Sequence, residues 1–545
     1  MLNLLRDRWI PVRCLDGSRK VITPAEITLD YGSNPVICLD EPRPDFNGAM
    51  IQFLIGIIQT TAPPKSEREW LSMVKDPPTV SILAEALKSF IPAFDLDGRG
   101  PRFMQDLELQ DGNATSIDKL LLETPGENTV KLNRDLFIKR DTVKAMCPSC
   151  AATALYTLQT YAPGKGSGHR KCLRGGGPIT TIVTGRTLWE QVWFNVLSER
   201  EFLRPGYLAS SNNADKFPWL APTHTSEGDT PIGPNDVHAS QVYFGMPERI
   251  RLDPDTIKTT SCDICAAQNV SCYTSFFLKK HGVNYQGDVP WGHPLTPYRT
   301  NEKEHKTFAV HTDSDGILYR HWLGIMQGIS SNDMHVEPAR VVQVFRDRKM
   351  LHESDLPEGD VRIWSFGYKV DNSKAECWYE AEMPFILVSA AIRELYEMQI
   401  AQLIQTADYA QIQLKKFGKM GMYRRPENVK GDFGFFGTLF WQETEAAFYT
   451  ALSELAKNLS ESADTQAVKL SWLRSLTRAS LAIYDQYAQS DTIAEGDPKR
   501  IVVNRRKLEY ALSPRKDAVR KLLQLPEINE DDMAVVAQPG VISPR

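Results

Sequence analysis

The sequence predicts an α+β chain: a mixed α/β N-terminal region carrying a structural metal site, followed by a C-terminal antiparallel bundle of four helices. Three observations lead there. Apolar residues change from short alternating runs to helical spacing near residue 383, and two Cys-x-x-Cys pairs lie far apart in the first part. Prolines and glycines are dense between about 160 and 300, where long functional loops are expected.

At 545 residues and 42% hydrophobic content the chain can bury a sizeable core, and two or three domains are expected rather than one. A net charge of -5 excludes a global basic field, so any nucleic-acid contact must be local. The opening MLNLLRDRWIP breaks its apolar residues with charges and has no signal-peptide core. No stretch approaches the roughly 18 apolar residues of a membrane span, and a cytoplasmic location is expected. Nine cysteines, an odd number, argue for free thiols plus metal ligands rather than a disulfide framework.

Taken in order, Val21 to Thr28 reads as a short alternating run, and Asn47 to about Thr61 as a buried helix ended by Pro63 and Pro64. Ile386, Leu387, Ala390, Ala391, Leu395, Met398 and Ile400 recur at helical spacing in a helix expected to close at Gly418. Similar periodicity over about 439–459, 466–489 and 498–512 supplies three more helices. The expected divisions are 1–380, 381–525, and a loose tail over 526–545 rich in Asp, Glu, Pro and Gly. No internal repeat of fixed period is found.

CPSC (147–150) and CDIC (262–265) let Cys147, Cys150, Cys262 and Cys265 reach one tetrahedral ion from two tight turns. Four thiolates close a zinc shell and leave no open position for water, so a structural Zn2+ is expected. The alternatives are unrelated core cysteines or a thioredoxin-like pair, and neither pair lies in a clear βαβ context. With 111 residues between the pairs, the ion would join distant segments rather than fold one finger.

APGKGSGHRKCLRGGGP (162–178) interleaves Gly164, Gly166, Gly168 and Gly175–Gly177 with Lys165, His169, Arg170, Lys171 and Arg174. Glycine allows close backbone approach to a ligand and the cations attract phosphate, although a flexible solvated loop fits equally well. It is not a phosphate-binding Walker loop, because Gly166 follows Lys165 where Ser or Thr is needed. Phe276 to Leu278 followed by Lys279, Lys280 and His281 reads as a strand with a charged edge. In GYKVDNSKAECW (367–378), Asp371, Asn372 and Ser373 form a polar tip that reads as a hairpin turn. Asp313 and Asp315 read as a solvated acidic turn, and the basic residues from Arg500 to Lys521 as a solvated helical face. No HExxH, GxSxG or other nucleophile motif is present, so the competing reading of a zinc-dependent hydrolase or nuclease rests only on scattered His and Asp.

Together the segments LLRDRWIPVR (4–13), PRFMQ (101–105), CPSC, LRGGGPITT (173–181), CDIC, GHPLTPY (292–298) and GYKVDN (367–372) resemble the CasA family, the large subunit of the type I-E CRISPR surveillance complex Cascade. The resemblance covers essentially the whole chain. It implies an elongated mixed α/β N-terminal domain with zinc, then a four-helix bundle, in a non-catalytic subunit. The implied partners are target double-stranded DNA, the 5′ handle of the guide RNA, other Cascade subunits and a helicase-nuclease effector. The implied task is recognition of the protospacer-adjacent motif (PAM) in the minor groove, and parting of the strands to start an R-loop in CRISPR antiviral defence.

By residue, the family's glycine loop falls on Gly164, Lys165, Gly166, Ser167 and Gly168. Its lysine finger falls on Lys280 with Lys279 as alternate, and its wedge on Asn372 flanked by Asp371 and Ser373. The RNA-handle contact falls on Phe137, Ile138 and Lys139. Ser167 stands where the family pattern has glycine, and Asn372 where it has the longer glutamine. Minor-groove reading separates mainly A·T from G·C, so several related motifs are expected to be accepted.

Overall fold

A computed structural model describes residues 2–526 except 110–111, 134–139, 165, 204–206, 209, 229, 287–290, 331–333, 353–355, 357–360, 430–432 and 489–496. The chain folds as two compact units. One comprises the residues up to Ile317 together with Gly324–Phe385; the other comprises Leu318–Leu323 together with the chain from Ile386 onward.

In the first unit β1 (Ile10–Cys14), β2 (Arg19–Ile22) and β3 (Val36–Leu39) form an antiparallel sheet in the order β2-β1-β3. The run expected from Val21 to Thr28 stays extended only to Ile22. Pro24 then opens a 3-10 turn through Thr28, fixed by Glu26 accepting the Thr23 N–H at 2.8 Å. The Pro44–Thr61 helix starts three residues before the expected Asn47, because Pro44 is preorganised for the first helical position. It is buried on nearly every side. Phe53 meets Trp9, Phe94, Phe103 and Tyr156 at centroid distances of 5.6 to 6.3 Å, in edge-to-face contacts that fill the core.

Tyr156 belongs to a second buried helix, Pro148–Tyr161, packed on the first. The unit's next strands are β4 (Asn113–Ser116), β5 (Thr180–Thr184), β6 (Arg249–Leu252), β7 (Lys258–Thr260), β8 (Val270–Cys272) and β9 (Ser275–Lys279). β9 is the middle strand of β4-β9-β6, not an edge, and β7 and β8 form a separate ribbon. The stretch from 160 to 300 thus mixes loops, such as the one between Tyr161 and Thr180, with short elements. Many of its elements are too short to show a period, and Pro218, Pro234 and Pro254 each start a 3-10 turn. β10 (Tyr298–Asn301), β11 (Lys306–Ala309), β12 (Ile329–Ser330) and β13 (Met334–Glu337) make a four-stranded sheet. β14 (Arg362–Asp371) and β15 (Lys374–Pro384) form a long hairpin that joins β5 in the order β15-β14-β5.

The second unit is helical: Arg393–Met422, Gly434–Ser460, Gln466–Ala488, Pro498–Ala511 and a short Asp517–Leu523. The first of these packs against each of the others. It does not close at Gly418 as expected. Gly418 is a packing residue, since a Cβ there would lie 2.9 Å from the Phe436 ring. Tyr319 supplies core to this unit, sharing a hydrogen bond with Thr444 at 2.9 Å and stacking on Phe448 at 4.4 Å. The basic run is not merely a solvated face: Arg500 donates to the carbonyls of Gly421 and Met422 at 3.0 and 3.2 Å, capping the first helix, and Arg505 pairs with Asp485. No helix among the described residues is long and apolar enough to cross a membrane.

Candidate metal centre and nucleic-acid interface

The two cysteine pairs converge. Cys147 caps the Pro148–Tyr161 helix with Pro148 at its first position, and Cys150 lies in the first turn. Cys262 and Cys265 sit in the loop between β7 and β8, where Ala266 and Asn269 adopt φ of +60° and +53°. All four sulfurs lie within 4.8 Å of one another, and Cys147 Sγ is 3.7 Å from Cys265 Sγ. A tetrahedron with bonds of ~2.3 Å has edges of about 3.8 Å, so the set fits zinc. Hydrogen bonds from the Cys147 and Cys150 side chains hold the Cys262 thiol far below its usual range, while hydrogen bonds with Cys147 and Cys262, together with burial, push Cys150 far up. Four thiolates this close repel one another, and a bound cation is what makes them compatible. These are the only three or more clustered His, Cys, Asp or Glu residues among the described residues that could hold a metal ion.

The clamp does not depend on sulfur alone. Met146 and Tyr273 exchange backbone hydrogen bonds at 3.0 and 2.8 Å, and Asp263 Oδ2 accepts the N–H groups of Lys144 and Ala145 at 2.7 and 2.9 Å. Two struts leave this clamp. The 14-residue helix spans about 21 Å at 1.5 Å per residue. The chain from Tyr273 through β9 spans a similar length, roughly 20 Å at 3.3 Å per residue.

At their far ends the struts meet again. After the helix come Gly164, Gly166 and Gly168 with φ of +77°, +85° and +83°, a conformation open to glycine at little cost. After β9 come Lys279 and Lys280, both exposed, and then His281 with φ of +64°. The His281 N–H donates to the Gly168 carbonyl at 2.7 Å, and a Cβ on Gly168 would lie 3.0 Å from Lys280 Cδ. Arg170 Nε donates to Ser226 Oγ at 2.8 Å, and Ser226 Oγ donates to the Gly282 carbonyl at 2.6 Å, stitching the segments further. Gly166 and Ser167 are exposed; Lys165 lies outside the described residues.

The second half of the glycine segment receives the hairpin. Gly176 faces Val370, and a Cβ on Gly177 would lie 2.8 Å from the Tyr368 carbonyl oxygen. The hairpin turns through Asn372 and Ser373, both at positive φ (+45° and +59°), with Asp371 opposite Lys374, the two-residue turn that matches strand twist. Asp371 and Asn372 are exposed and joined by a hydrogen bond of 2.9 Å. Phe137, Ile138 and Lys139 lie outside the described residues.

A family model described as CRISPR-associated protein Cse1 (CRISPR_cse1) matches residues 3–483. The chain belongs to the Cse1 family. It thus has the family identity its motifs resemble, that of the type I-E Cascade large subunit, also called CasA. Among solved structures, Thermus thermophilus CasA (Cse1) is similar over 94% of this chain and 100% of that one, with a TM-score of 0.66 at 16% identity. Thermobifida fusca Cse1 is similar over 96% and 98%, with a TM-score of 0.66 at 17% identity. A chain of a CRISPR RNA-guided surveillance complex is similar over 93% and 99%, with a TM-score of 0.59 at 14% identity. At these identities the likeness speaks to the Cse1 fold.

Several residues of this Cse1-family chain that build the site escape motif reading. Asp263 lies inside CDIC but bonds the other pair's approach, His281 ties the segment of Lys280 to the glycine loop, and Val370 seats the hairpin on Gly176. Each acts across more than 100 residues of sequence, where no local spacing marks it.

Proposed function

We propose that this Cse1-family chain is the non-catalytic DNA-inspecting subunit of a type I-E Cascade, reading the PAM with Gly164–Gly168 and Lys280 and parting the strands with Asn372. The carrying observation is the contact of half-buried Gly168 with exposed Lys280, where two segments assigned from distant motifs meet. Backbone at the glycine loop can approach a groove floor, and a lysine beside it meets phosphates or base edges. Guide pairing supplies sequence identity, as in other RNA-guided systems, and the protein has only to find a short motif and open the first steps. Unstacking those steps costs a few kcal/mol, which the wedge and lysine contacts offset. Few local cations suffice for this within an assembly, consistent with a net charge of -5.

In the same proposal residues 1–380 form the PAM-reading domain, and Phe137, Ile138 and Lys139 meet the guide-RNA handle. Residues 381–525 form a four-helix bundle that docks on small subunits and helps recruit the helicase-nuclease, and 526–545 is a tail. The cysteines hold structural zinc, and the subunit works in the cytoplasm. A hydrolytic reading gains no support from the metal centre, where four sulfurs leave no position for water. The test is K280A in the assembled complex, measuring affinity for PAM-bearing duplex across salt. Weaker binding with a shallower salt slope is expected; undiminished affinity removes the finger.

A further inference from the structure

The hairpin that carries Asn372 has a polar tether at its root. Among the described residues β14 pairs with β5 from Arg362 to Phe366, and beyond that its strand partner is β15 alone. Tyr368, two residues past this limit and 3% exposed, donates its hydroxyl to Asp45 Oδ2 at 2.6 Å. Asp45 lies in the first turn of the Pro44–Thr61 helix. Its carboxylate also accepts Arg43 Nε and Nη2 at 2.9 and 3.0 Å, and Arg43 Nη1 pairs with Glu123 at 2.7 Å. Burial and then the Asp45 charge push the Tyr368 hydroxyl far up, so it remains a donor. Burial disfavours the Arg43 charge, but Asp45 and Glu123 hold its guanidinium above the ordinary value.

Apolar packing already seats this ribbon: Gly48 leaves room for Trp378, whose ring would lie 2.6 Å from a Cβ there. Packing of that kind is non-directional. A short charge-assisted bond fixes an angle, and a turn four residues away inherits any error in it.

We infer that Tyr368 and Asp45 are positioning residues for strand separation, aiming the Asn372 turn from the root of its hairpin, with Arg43 and Glu123 holding Asp45 in place. This rests on Asn372 being the wedge. The test uses the assembled complex with Y368F, D45N or N372A on two substrates: a fully paired PAM duplex, and the same duplex mismatched over the first base pairs beside the motif.

Y368F and D45N are expected to slow R-loop opening on the paired duplex about tenfold, the weight of one charge-assisted bond. They should leave the pre-opened substrate within about twofold, because an opened duplex needs no wedge. Y368F opening the paired duplex at the unmodified rate while N372A slows it overturns the tether. Equal slowing on both substrates also overturns it, since that is loss of stability rather than of aim. N372A without effect on the paired duplex overturns the wedge assignment, and this inference with it.

Discussion

Gly168 and Lys280, 112 positions apart in sequence, are packed together: a Cβ on Gly168 would meet Lys280 Cδ at 3.0 Å and Cβ at 3.1 Å. Gly168 also sits at φ +83°, where an L side chain costs roughly 1–2 kcal/mol. G168A is therefore expected to keep the fold, lower thermal stability by that amount, and displace the lysine. Affinity of the assembled complex for PAM duplex should fall several-fold, while binding to non-PAM duplex changes little. Competition binding with the two duplexes checks this.

Loss of the zinc proposed for the four cysteines is expected to have a bounded effect. C147S and C262S should lose the metal, read as zinc per chain falling from one to none. Because Met146–Tyr273 and Asp263 join the same segments without sulfur, the chain should remain folded with a lower Tm. Small angular errors at the clamp are carried along struts of about 20 Å, so PAM affinity should drop. A folded, zinc-free, fully active variant would show that the backbone bonds suffice.

Gly418 sets propensity against packing. In an isolated helix Ala is favoured over Gly by about 1 kcal/mol. Here the new methyl would meet the Phe436 ring at 2.9 Å, and overpacking costs about 1–3 kcal/mol. G418A is expected to destabilise the helical unit, measured by urea denaturation; a stabilised variant would mean that Phe436 moves aside freely.

Glu41 gives stability a pH dependence. Burial, with the charges of Asp40 and Asp45 adding, pushes its carboxyl up to about 8 from an ordinary 4.5, and its Oε1 has no hydrogen-bond partner among the described residues. A folded-state value above the unfolded one means a contribution fully present below about 4.5 and lost as pH rises through about 8. E41Q, which cannot ionise, should raise stability by at least ~1 kcal/mol more at pH 8.5 than at pH 5. Equal effects at both pH values would remove Glu41 from this role.

Periodicity marks two of the long helices well, since Gln466–Ala488 and Pro498–Ala511 lie within one residue of their expected bounds, whereas the first starts at Arg393, past the expected Ile386, Leu387, Ala390 and Ala391. It fails at ends governed by neighbours. The first bundle helix runs past Gly418 because that glycine answers to Phe436, not to a C-cap. It fails again between 160 and 300, where strands of three to five residues and 3-10 turns are too short to show a period.

By itself, then, the sequence determined the chemistry: four thiols in two pairs, glycines able to take positive φ, lysines behind an apolar strand, and a polar turn. Thiol spacing and backbone freedom are local properties, set within a few residues. Only the tertiary structure decided their company. Two buried helices and β9 bring Gly168 to Lys280, set Gly176 under Val370, and bind Tyr368 to Asp45. Those contacts close loops of more than 100 residues, and their free energy comes from core burial along the whole path between them, which no local pattern records.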